Sequence, residues 1–194
     1  MATRRHTFWV IAVLVTSVFL VARPAPARST PSTADVLEEF VMRVDTYVRL
    51  HQRLEAAFPA LEDTRDPFSR LLNKRYLASA IRSARRHVKE GNIFGPPVEE
   101  MFRARIADAM HGRDVAVVVG PCAGEPWGPA DLVLNEPLGE GASCPVPVLL
   151  LEALPPVPGG LEYRVVGPDL VLWDVHAEIV IDVLRDALRA PSFV

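Results

Sequence analysis

The sequence predicts an α+β fold: an N-terminal three-helix region, then a small β-hairpin unit with a C-terminal helix. Three observations carry that reading. Apolar residues recur at three- and four-residue steps as far as Met110, which is the period of a helix face. Leu161, Tyr163 and Val165 alternate with Glu162 and Arg164, and Gly167-Pro168-Asp169 turns the chain into Leu170–Trp173, as in a hairpin. Near the end, LRDALRA at 184–190 is a run of helix formers.

The first 27 residues read as an address. Arg4 and Arg5 precede an uncharged run, residues 7–22, which Arg23 closes; Ala25-Pro26-Ala27 follows. A positive start, a short apolar run and small residues at the cleavage positions make a signal peptide, expected to be cut after Ala27. The alternative is an uncleaved inner-membrane anchor formed by residues 7–22, a short span compensated by bilayer thinning. The expected localisation is therefore periplasmic or secreted. No cysteine precedes Cys122, which excludes lipid attachment at the cleavage site.

Residues 28–112 form the expected helical region. Ser32, Thr33 and Asp35 supply cap oxygens, and the first helix runs to about Phe58, where Pro59 stops it. Its seam is Leu37, Phe40, Val44, Tyr47, His51, Leu54 and Phe58, widened by Val41 and Val48. Asp66-Pro67 opens the second helix. Leu71, Leu72, Leu77, Ile81, Ala84 and Val88 line it, and Gly91 lies past its end. After Pro96-Pro97 a third helix carries Val98, Phe102, Ile106, Ala109 and Met110 on one side, and Gly112 closes it.

Residues 113–194 form the small α+β region, packed on the helices as one globular domain. Val115–Val119 and Leu132–Leu134 read as short strands on their β-branched and apolar residues, the first with a helical alternative. The intervening GPCAGEPWGPA is a loop. Residues 149–154 make a short helical turn between prolines, and the hairpin follows. The stretch 175–188 fits either a strand or a helix, since Val180, Leu184 and Leu188 form a helical stripe. A helix capped by Asp174 is the favoured reading.

Three stretches, FVMRVDTYVRLHQRLE, KEGNIF and LEYRVVGPDLVLWDVHAEIVIDV, resemble a family of small exported bacterial proteins to which no activity is assigned. The loop pattern in that family is usually Gly-Asp-Ile-Phe; here Asn92 replaces the acid. The resemblance spans most of the chain beyond the signal, except the region from Val115 to Cys144. It implies export and a helical front half, and it brings no functional residue with it.

The chain has a net charge of −3 and 23% charged residues, so it is not a globally basic nucleic-acid binder. Phosphate-cradling, zinc-protease and nucleophile-elbow motifs are absent. Four constellations remain. Cys122 and Cys144 are an even pair in an exported chain, which points to a disulfide. Asp174, Glu178 and Asp182 share a face in a helix, while His176, Glu178 and Asp182 share one in a strand. Either set offers metal ligands or a His–carboxylate pair for acid–base work; a solvated polar face is the competing reading.

Arg75, Arg82, Arg86 and Lys89 form a basic stripe on the second helix, suited to an acidic partner or a membrane surface. The first helix is acidic, so antiparallel pairing of the two helices would also account for the stripe. His51 interrupts an apolar seam and reads as a core or boundary histidine in need of a partner. The sequence thus favours a non-catalytic exported protein that binds a partner, protein or membrane, through its helical surface. The rival is a small metal-assisted or acid–base hydrolase using His176, Glu178 and Asp182. No cofactor and no nucleic-acid partner are indicated.

Overall fold

A computed structural model describes residues 31–57, 66–119, 132–139 and 143–189. The architecture is α+β: helices cover one face of a four-stranded antiparallel sheet of order β1-β2-β3-β4. The elements are α1 (Thr33–Ala57), α2 (Pro67–Ala84), α3 (Pro96–Met110), α4 (Val115–Val119), β1 (Cys144–Pro145), α5 (Val148–Ala153), β2 (Leu161–Val166), β3 (Asp169–Asp174) and β4 (Ile179–Leu184).

Local chemistry sets the helix starts. Ser32 and Asp35 cap α1 reciprocally: the Ser32 N–H donates to Asp35 Oδ2, and the Asp35 N–H to Ser32 Oγ. Asp66 accepts from the Phe68 and Ser69 N–H groups, with Pro67 in the first helical position. The buried stripe of α1 is Val36, Phe40, Val44, Tyr47 and His51. Val41, expected to widen it, is exposed instead; Phe58 lies outside the described residues.

The second helix is shorter than expected because Arg85 turns inward. Its Nε donates to Asn135 Oδ1 at 2.8 Å and its Nη2 to the Ile181 carbonyl at 2.7 Å. These bonds and its stacking on the Tyr47 ring draw the chain off the helical path before Gly91.

The two faces of the sheet follow its alternation. Leu161, Tyr163, Val165, Leu170, Leu172, Ile179, Ile181 and Leu184 join the helices in the main core. Val166, Val171, Val180 and Val183 form a second cluster with Leu132. Phe102 knits the main core, with ring centroids 5.0 Å from Phe40, 5.2 Å from Phe94 and 6.0 Å from Tyr163.

Three expectations are corrected. The favoured helix over 175–188 is a turn followed by β4, all six residues of which are buried. Asp174 starts that turn by accepting the His176 and Ala177 N–H groups on Oδ1, and Glu178 takes a positive φ of 55°, which an L-residue helix does not tolerate. The open edge of β3 then decides the matter, since β4 satisfies it. Val115–Val119 is helical, begun by the Asp114 carbonyl, which accepts from the Val117 and Val118 N–H groups; no described strand lies where its β-branched residues would need one. Leu132–Leu134 is not a strand either. Asn135 turns at φ 62°, and the segment touches β4 through two bonds, Asn135 N–H to Val180 O and Val180 N–H to Glu136 O.

Among the described residues no helix is long and apolar enough to cross a membrane; the run 7–22 lies outside them. Cys144 is buried on β1, and Cys122 lies outside the described residues.

Candidate functional site

A pocket opens where the second half of α1 meets the β3–β4 turn. Tyr47, His51 and Glu55 reach it at four-residue steps along α1, so one helix face presents all three. Asp174 and His176 come from the end of β3 and the turn beyond, and Gly159 and Gly160 from the approach to β2. The space is about 110 Å³.

The centre is Asp174, fully buried. Its Oδ2 accepts from Tyr47 Oη–H at 2.5 Å and lies 2.6 Å from His51 Nδ1. Its Oδ1 takes the two turn N–H groups, so the carboxylate is fully engaged. Burial pushes the Asp174 carboxyl up, but the bonds from His51, Ala177 and Tyr47 outweigh it and hold it below the ordinary carboxylate value. Burial, then the Asp174 charge, raises Tyr47 beyond any physiological titration, so Tyr47 is a fixed neutral donor. The Asp174 bond raises His51 against the effect of burial, helped by the charges of Asp174 and Glu55.

An ionised carboxylate only accepts, so the proton of neutral His51 sits on Nδ1 and the Nε2 lone pair faces outward. Glu55 Oε2 lies 3.6 Å from that Nε2, and Glu55 Oε1 lies 3.8 Å from His176 Nδ1. The His51 and His176 rings are 5.6 Å apart. One donor atom each from His51, Glu55 and His176 lies within 4.8 Å of the other two. Ligands of a tetrahedral zinc stand about 3.3 Å apart, given bonds of about 2.0–2.1 Å. Rotation of the half-exposed Glu55 and His176 side chains covers the difference.

Of the residues singled out from sequence, His51, Asp174 and His176 enter this pocket. The Asp174/Glu178/Asp182 set does not converge. Glu178 points to α2, with Oε1 2.5 Å from Lys74 Nζ. Asp182 is buried and accepts the N–H groups of Gly91, Ile93, Phe94 and Val183. His176 and Glu178 likewise serve different helices, so the strand set fails as well. Tyr47 and Glu55 were missed; their signal was the stripe 47, 51, 55, with a histidine interrupting an apolar seam.

The basic stripe is not neutralised by α1. Arg82 pairs with Glu136 at 2.6 Å, and no ion pair joins α1 to α2 among the described residues. Comparison with family models, with curated proteins and with solved structures finds no match for this chain.

Proposed function

We propose that this is an exported protein that binds a divalent transition metal through His51 Nε2, a Glu55 carboxylate oxygen and a His176 ring nitrogen. The observation that supports it is the convergence of these three donors in front of a histidine whose other nitrogen is held by a buried carboxylate. Metal-ligating histidines have that second partner almost without exception, because it fixes the tautomer and raises ligand basicity. Two imidazoles and one carboxylate suit zinc and its neighbours rather than magnesium or calcium. Three protein donors leave one coordination position for water or an exchangeable ligand. The export layout at residues 1–27 supports action outside the cytoplasm.

The test is elemental analysis of the exported protein purified without chelator, followed by calorimetric titration of chelated protein with zinc. One equivalent of metal in the wild type, lost in His51→Ala and in His176→Ala, is the expected result. A chelated wild type that takes up no zinc overturns the reading. Uptake that survives both substitutions overturns the residue assignment.

A further inference from the structure

The outward face of α2 and the turn after it combine exposed apolar side chains with arginines that no described carboxylate pairs; Arg86 Nε donates only to His87 Nε2. Phe68 and Leu71 are 66% and 49% exposed. With Arg75 and Arg82 they recur at three-, four- and seven-residue steps, so they lie on one face of the helix. Leu77 and Ile81, the buried residues of α2, lie on the other. Arg86 is exposed in the turn just past the helix, and Tyr76, 57% exposed, flanks the face. No acidic residue occurs between Pro67 and Lys89, while the whole chain carries a net charge of −3. Positive charge is therefore segregated onto this element.

Within the described residues Arg82 is neutralised by Glu136 and Lys74 by Glu178, but Arg75 and Arg86 meet no carboxylate. Leaving large apolar side chains in water beside cations has no benefit for folding. It is the composition of a helix that lies in a lipid interface, apolar groups among the acyl chains and arginines at the phosphates. We propose that this face docks on an anionic phospholipid surface, with Phe68 and Leu71 inserted and Arg75 and Arg86 on headgroup phosphates. A protein partner with acidic and apolar groups is the competing occupant, and the test below separates the two.

The probe is the protein without residues 1–27, so that the apolar run 7–22 cannot insert by itself. All described elements lie in one compact unit, Pro31–Val194, and a thermal melt verifies each variant. Sedimentation with phosphatidylglycerol–phosphatidylcholine vesicles is compared with pure phosphatidylcholine at low and high salt. Salt-sensitive binding to the anionic vesicles alone is expected. It should weaken about tenfold or more in Phe68→Ser/Leu71→Ser, which lose their inserted apolar area, and in Arg75→Glu/Arg86→Glu, since each basic residue near such a surface is worth about fivefold. Arg49→Glu/Arg53→Glu, the same charge change on the exposed side of α1, should have a much smaller effect. Three results overturn the proposal: no binding to anionic vesicles, equal loss in the α1 control, or binding to an acidic polypeptide without binding to vesicles.

Discussion

Asp182 shows how one side chain can organise a loop. Its carboxylate gathers the Gly91, Ile93 and Phe94 N–H groups, while Arg43 Nη1 donates to the Gly91, Asn92 and Ile93 carbonyls from the other side. Gly95 packs directly beneath the Arg43 guanidinium, where a Cβ would collide. The KEGNIF stretch therefore has a structural role. Asp182→Ala strands buried donors and should cost about 3 kcal/mol, with Asp182→Asn milder; urea unfolding measures both. His51 yields a second prediction at this scale. In chelated protein it faces Asp174, Tyr47, Glu55 and His176, and its folded pKa lies above the ordinary value. Its contribution to stability is then complete below about pH 6.5 and is lost as pH rises through the raised value. Stability should fall with rising pH across that window, and His51→Gln should remove the slope; a slope unchanged in that variant assigns it to another group.

Among the elements, β4 and α2 depart furthest from local expectation. The composition of β4 allows a helix, but β3 offers an open edge and the Asp174 turn delivers the chain to it in register. Ile181 bulges where the β3–β4 register shifts, and its carbonyl accepts Arg85. Arg85 is buried, and Arg85→Ala would leave that carbonyl and Asn135 without their donor, so a loss of about 3 kcal/mol is expected by denaturant titration. On β1, Cys144 occupies a buried position beside β2. Pairing with Cys122 after export would close a loop of about 22 residues and stabilise by roughly 3 kcal/mol. Thiol titration of the exported protein should find neither cysteine reactive, and reduction should lower its melting temperature; two titratable thiols in the unfolded oxidised protein would exclude the bridge.

At the scale of the molecule, the donors proposed to bind metal straddle two halves of the fold that are already joined. Tyr47, His51 and Asp174 connect α1 to the sheet without any ion, so the pocket is preformed. Metal then adds to stability by mass action alone, about 2.7 kcal/mol at a hundredfold excess over Kd. Chelation should shift the melt downward and leave a cooperative transition. Loss of that transition on chelation would make the metal a folding requirement and the site a structural one.

The sequence by itself determined the starts of α1, α2 and α3, the β2–β3 hairpin and the α+β class, because caps, prolines and period-two alternation act over a few residues. It also marked His51 as a misfit in an apolar seam. Only the tertiary structure decided that 179–184 is a strand, that Asp174 and Asp182 serve different partners, and that Glu55 and His176 face each other. Asp174 lies more than a hundred residues from His51 along the chain. No local signal encodes that pairing; it exists because α1 buries its apolar seam in the core it shares with α2, α3 and the sheet, and doing so brings Tyr47 and His51 onto the end of β3.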